Sequence, residues 1–162
     1  MRKKIAGILL RLAVLLPVIA SASSCTLAKI RNLNLGSVGV KYLVPSSTRS
    51  LSGILLLEVD NPSISFTISD VDGLIKCDGV PLVTVTAGEL PVQRKSRQVY
   101  EIPCTVTLCE GVSILQLLRV VAQRSSSLEG LTADAVLNVR LKNKMGTALT
   151  FKDLDLSQFS SE

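Results

Sequence analysis

From Ile30 onward, apolar and polar residues alternate with a period of two, the pattern of half-buried β-strands. Val38, Val40 and Tyr42 alternate with Gly39 and Lys41 and predict a strand that ends at Pro45, before a Ser46-Ser47-Thr48 loop. Leu51–Val59 is apolar on both sides, with Leu55, Leu57 and Val59 on one and Ile54 and Leu56 on the other, which predicts a central strand covered twice. Asp60-Asn61-Pro62 stops it, because Asx side chains cap their own backbone and proline cannot continue a ladder. Ile64, Phe66 and Ile68 then alternate with serine and threonine until Asp70–Gly73 breaks the phase, which predicts a bulge. Asp78-Gly79 has the form of a two-residue hairpin turn, returning the chain through Val83, Val85 and Ala87.

Residues 88–97 read as a polar connection, and Tyr100, Ile102, Cys104, Val106 and Leu108 share one face of a further strand. The period changes over 112–123, where Ile114, Leu115, Leu117, Leu118 and Val121 form a helical stripe. Alternation returns from Ala133 to Leu141. Lys144-Met145-Gly146 reads as a turn, and Leu149 and Phe151 open a last strand reaching toward Leu156. Seven or eight short strands with turns roughly every ten residues predict an all-β antiparallel sandwich over residues 30–158 with one short helix.

The first 24 residues have a different organisation. Arg2, Lys3 and Lys4 precede an apolar run from Ile5 to Ala20, broken by Arg11, and then Ser21-Ala22-Ser23-Ser24-Cys25. This is the layout of a secretory signal, and its uninterrupted part is short of the roughly 20 residues that span a bilayer. A cysteine directly after small residues resembles a bacterial lipobox, which implies lipid on the Cys25 thiol, cleavage before it, and residues 25–29 as anchor and tether. Ordinary cleavage after Ala20-Ser21-Ala22 is the rival reading and would release a soluble chain. Thr26, where an aspartate would by the same resemblance signal retention, implies the outer membrane with the domain facing the periplasm.

Of 18 basic residues, four lie in the first eleven positions; without them, 14 face 13 acidic residues. The basicity is therefore a property of the leader, and little weight falls on nucleic acid or an anionic membrane as a partner of the folded body. Histidine and tryptophan are absent and aromatics are 3%. The commonest general base, the commonest metal ligand and the usual stacking platforms are all missing.

Cys77, Cys104 and Cys109 remain after Cys25. Cys104 and Cys109, five apart, point to opposite faces, so a disulfide would join Cys77 to one of them; buried free thiols are the plainer reading, and the spacing is no zinc pattern. Asp60, Asp70, Asp72 and Asp78 raise calcium, but no glutamate closes a loop at the required distance and turn-forming aspartates explain them. Arg94, Lys95 and Arg97 could meet lipid phosphate or an acidic partner, with a solvated hairpin tip as the default. Leu118 and Val121, expected to be partly covered, mark a candidate groove between helix and sheet that would take an envelope protein or an apolar small ligand through aliphatic contacts, an unpaired sheet edge being the other candidate. No nucleophile has a base beside it in sequence, and no catalytic residue, metal or cofactor is assigned.

Leu55-Leu56-Leu57-Glu58-Val59-Asp60-Asn61-Pro62, Ile64–Ile68, Gly73 and Asp78-Gly79 together resemble the late embryogenesis abundant type 2 family, also called the water stress and hypersensitive response (WHy) domain. The resemblance covers roughly Ile30 to Leu156. It implies a fibronectin type III-like, immunoglobulin-like sandwich without catalysis or cofactor, with roles in stress protection and envelope upkeep. The lipobox departs from plant members and fits bacterial ones. Three classes follow: a lipid-anchored binding or protective module, an assembly lipoprotein docking to an envelope complex, and a hydrolase, which no constellation supports.

Overall fold

The computed structural model describes residues 34–124, 127–142 and 146–159, with side chains from Lys41 to Ser157. The expected signal segment, Cys25 and the expected tether lie outside the described residues. Eight strands and one α-helix are described: β1 (Asn34–Pro45), β2 (Ser50–Asn61), β3 (Phe66–Cys77), β4 (Val80–Ala87), β5 (Leu90–Val92), β6 (Ser96–Leu108), α1 (Ile114–Arg124), β7 (Leu131–Leu141) and β8 (Gly146–Asp155). A 3-10 turn at Leu156–Phe159 follows.

All strand pairs are antiparallel, in the order β1-β2-β6-β4-β3-β7-β8, with β5 also on β3. β6 pairs with β2 from Ser96 to Thr107, but with β4 only from Cys104 to Leu108. β2 and β7 are four strand spacings apart in this order, about 19 Å in a flat sheet. Nevertheless Leu55, Leu57 and Val59 of β2 share a core with Leu137 and Val139 of β7. The sheet is therefore folded over into a sandwich, with β1, β2 and β6 in one layer and β5, β4, β3, β7 and β8 in the other.

β3 serves both cores because it changes phase. Phe66 and Ile68 are buried with the β2 and β7 residues, whereas Ile75 belongs to a second core with Leu82, Val83, Val106, Leu117 and Val121. The register against β7 slips between Ser69 and Asp72, and Asp70 takes a left-handed φ of 52° there, so the expected bulge is present. The Asp78-Gly79 turn is also as expected: both residues have positive φ, 49° and 82°, as a tight hairpin turn requires.

Four expectations need correction. Leu90–Val92 is a strand, not part of a polar connection: Leu90 and Val92 are buried against the core while Pro91 faces outward. β2 is central because it lies between β1 and β6, but only its inner face is sealed, and Ile54 and Leu56 are half-buried. β8 begins at Gly146, before Leu149. The helix starts at Ile114, where the Ser113 hydroxyl accepts the Gln116 backbone N–H at 3.2 Å, an N-cap.

At the end where the chain enters, Asn61 is 1% exposed and holds two turns together. Its amide donates to the carbonyls of Ile64 (2.8 Å) and Gln93 (2.9 Å), and its Oδ1 accepts the Ser63 N–H at 3.1 Å. On the outer face of the second layer, Lys76 pairs with Asp134 at 2.9 Å and with Asp153. The Asp134 carboxyl is held below the usual range, first by the Asp153 backbone N–H and then by Lys76. Asp155 is lowered by Ser157, whose hydroxyl and N–H both bond it.

Asn61→Ala leaves the Ile64 and Gln93 carbonyls, whose bonds to the amide are part-buried, without their donor, and chemical denaturation is expected to show a loss of about 1–3 kcal/mol. Loss within about 0.5 kcal/mol would contradict the role given to this amide. Asp134 and Asp155 have depressed folded-state pKa values, so their contribution is complete above the ordinary aspartate pKa near ~4 and is lost as pH falls through the lowered values. Lys76 is raised, by Asp153 first and then Asp134, so its contribution is complete below the ordinary lysine range and is lost only as pH climbs past its raised value. Thermal melts across pH are expected to show acid destabilisation that is shallower in Asp134→Asn; an unchanged acid limb would contradict this.

Candidate functional site

The β3 bulge turns Asp70 outward beside β7, next to the buried Ser69, and opens a polar cleft of about 660 Å³. Ala87, Gly88, Gly146 and Ala148 give it room, and Asp70, Glu89, Asn138 and Arg140 give it polar groups. A Cβ on Gly146 would lie 2.9 Å from Arg140 Cγ, so a larger residue there would displace the arginine. Asp70 accepts hydrogen bonds from Asn138 (2.9 Å) and the Ser69 hydroxyl (3.0 Å), and Arg140 pairs with Glu89 at 2.5 Å.

These pairings decide what the cleft can do. The Asp70 carboxyl is held below the usual carboxylate range by Asn138 first, then Ser69, with a smaller contribution from Arg140. Asp70 is thus a weaker base than an ordinary aspartate, and its contact with Ser69 does not make that hydroxyl a nucleophile. Cys77 is no better placed: burial, and then the Asp78 charge, push its thiol up and keep it neutral. What the cleft offers is a solvent-facing Arg140–Glu89 ion pair and the Asp70 carboxylate held by Asn138 and Ser69, polar groups that suit recognition of a small polar molecule.

The predicted site residues fall at two opposite ends of the sandwich. Arg94 and Lys95 lie exposed in the β5–β6 connection at the end where β1 begins, and the Arg94 N–H donates to Ser65 Oγ at 3.0 Å. Arg97 is engaged, with Nε 2.8 Å from a Glu58 carboxylate oxygen. Leu118 and Val121 lie at the helix end and are not equivalent. Val121 is 3% exposed and part of the core with Leu117, so the expectation that it is partly covered is corrected: the i, i+4 pair faces the sheet directly. Leu118 is half-buried, while Ile114 and Leu115, expected in the stripe, are 47% and 73% exposed in the first turn.

Cys77, Cys104 and Cys109 are free thiols, with Cys104 buried. The aspartates do not converge. Asp70 and Asp78 occupy left-handed positions at the bulge and the hairpin, Asp60 ends β2 and Asp72 lies within β3, and among the described residues no group of three acidic or thiol side chains is arranged to hold a metal. Asp78 also pairs with Arg124 at 2.8 Å, tying the helix's last turn to the hairpin. Among the described residues no helix is long and apolar enough to cross a membrane.

Asn138 and Arg140 escaped the sequence reading. They sit in a strand whose alternation looked ordinary, and only the β3–β7 ladder brings them to Asp70.

No family model matches the chain, and no curated protein matches it. Among solved structures, it is similar to a protein from Archaeoglobus fulgidus at 13% identity and TM-score 0.41, over 74% of this chain and 98% of that one. It is also similar to the yeast GGA1 GAE domain at 12% identity and TM-score 0.28, over 71% of this chain and 89% of that one.

Proposed function

We propose that this chain is a lipid-anchored, periplasm-facing, non-catalytic β-sandwich protein that binds a small polar ligand or protects components of the cell envelope. The observation that carries the binding role is the cleft at the β3 bulge, where Asp70 is held by Asn138 and Ser69 and Arg140 by Glu89. Side chains fixed in advance lose little freedom when a ligand arrives, which is what a binding site needs. The anchor rests on the leader ending at Cys25, and the protective role on the resemblance to the late embryogenesis abundant type 2 family.

A second reading, an assembly lipoprotein docking to an envelope complex, is favoured by the apolar first turn of α1. Ile114 and Leu115 are exposed there, and Leu115 is the most exposed of the large apolar side chains in the described residues. The helix itself is held by Leu117 and Val121.

Intact-mass measurement of membrane fractions is expected to show diacyl lipid on wild-type protein beginning at Cys25 and none on Cys25→Ala; a soluble wild-type chain beginning at Ser23 would refute the anchor. Cross-linking in membranes followed by pull-down separates the two readings. A single abundant protein partner supports assembly, and its absence supports the binding or protective role. If assembly holds, Leu115→Asp should abolish the cross-link while changing stability by less than about 0.5 kcal/mol. Leu118→Asp, at a half-buried position, should cost more stability. A cross-link that survives Leu115→Asp would rule out docking through this turn.

A further inference from the structure

The near-neutral charge of the folded body conceals a basic cluster at one of its ends. The register places the start of β1 opposite the end of β2, because Asn34 pairs with Asp60. The β2–β3 and β5–β6 connections meet at this same end, joined by Asn61 to the Gln93 carbonyl and by the Arg94 N–H to Ser65. The end of β7 is there too: Phe66 pairs with both Val92 and Leu141, and Lys142 lines a groove with Ser65 and Gln93.

Among the described residues, the charged side chains of the connections at this end are Arg94, Lys95 and Lys142, all basic and all exposed. None of the three has a carboxylate partner among the described residues, whereas Arg97, just inside β6, is paired with Glu58 and lies across the ladder from Asp60, so the carboxylates of β2 at this end are answered by Arg97. Lys95 is displayed at the tip by a left-handed backbone, φ 47°. The helix end instead mixes Arg49, Arg119 and Arg124 with Asp78, Glu110 and Glu129.

We infer that this basic end lies against anionic phospholipid headgroups, so that the sandwich stands on the membrane with its helix pointing away. The inference rests on the anchor proposed above and adds an orientation to it. Eight residues, 26–33, separate Cys25 from Asn34. Fully extended, they reach about 30 Å, so an anchor at Cys25 keeps the entry end near the surface and the opposite end farther out. Basic residues held within a Debye length of an anionic surface, about 8 Å at physiological salt, are attracted to it, and the tether supplies that proximity.

The test uses the full chain extracted from membranes and reconstituted into vesicles of phosphatidylcholine alone or mixed with phosphatidylglycerol. Amine-reactive labelling is read by peptide mass spectrometry. At low salt, Lys95 and Lys142 are expected to label several-fold more slowly on the phosphatidylglycerol vesicles, with the difference lost at high salt. Lys152, exposed toward the far end of β8, should label equally on both. Equal labelling of Lys95 and Lys142 on the two vesicles overturns the inference. Protection in native membranes but in neither vesicle also overturns it, and assigns this end to an acidic protein partner. Flotation separates the anchor from the orientation. A chain that floats with both vesicles yet labels equally keeps the anchor and loses the orientation. One that floats only with phosphatidylglycerol, with Lys95 and Lys142 protected, loses the anchor and supports the basic end.

Discussion

The double duty of β6 is the constraint on which the rest of this structure depends. Along nearly its whole length β6 hydrogen-bonds to β2, but only Cys104–Leu108 also pairs with β4. Where that second ladder stops, β6 and β5 diverge and the sheet opens into two layers, with Val59, Ile102, Val92 and Val139 filling the space between. At the open end the backbone ladders run within each layer and none of the ladders described joins one layer to the other, so its turns need another fastening. Asn61 provides it, with both amide hydrogens and its carbonyl oxygen engaged. At the closed end the helix covers the remaining apolar surface through Leu117 and Val121.

The β3 bulge follows from the same constraint. A strand that faces one core with Phe66 and Ile68 and another with Ile75 must shift its phase by one residue between them. The displaced residue, Asp70, is turned outward, and the polar cleft forms around it. The candidate binding site is thus a consequence of how the sandwich closes. Aspartate suits the position because its short polar side chain tolerates left-handed backbone and finds local hydrogen bonds.

Strands whose inner faces alternate cleanly, such as β6 and β7, were legible in the sequence, as were the Asp78-Gly79 hairpin and the phase break at Asp70. Leu90–Val92 was not, because three residues with a central proline carry too little periodicity and draw their strand character from β3. The helical stripe overstated what the sheet covers: Ile114 and Leu115 obey the spacing but overhang the sheet in the first turn. The cleft, and the addition of Lys142 to the Arg94 and Lys95 already legible in the sequence, were beyond a linear reading for one reason. Asp70 with Asn138, and Arg94 with Lys142, are brought together by pairing between strands distant in the chain, and net charge says nothing about where charges gather.

The central claim is that strands β2 and β7, separated by three others in the sheet, pack face to face. Methyl–methyl nuclear Overhauser measurements on the full chain test it most directly. The account predicts cross-peaks linking the Leu55, Leu57 and Val59 methyls to the core that contains Leu137 and Val139, through direct contacts or through Phe66 and Ile68 between them. Cross-peaks confined to neighbours along the ladders, with β2 methyls reaching only β1 and β6, would mean an open sheet and contradict it.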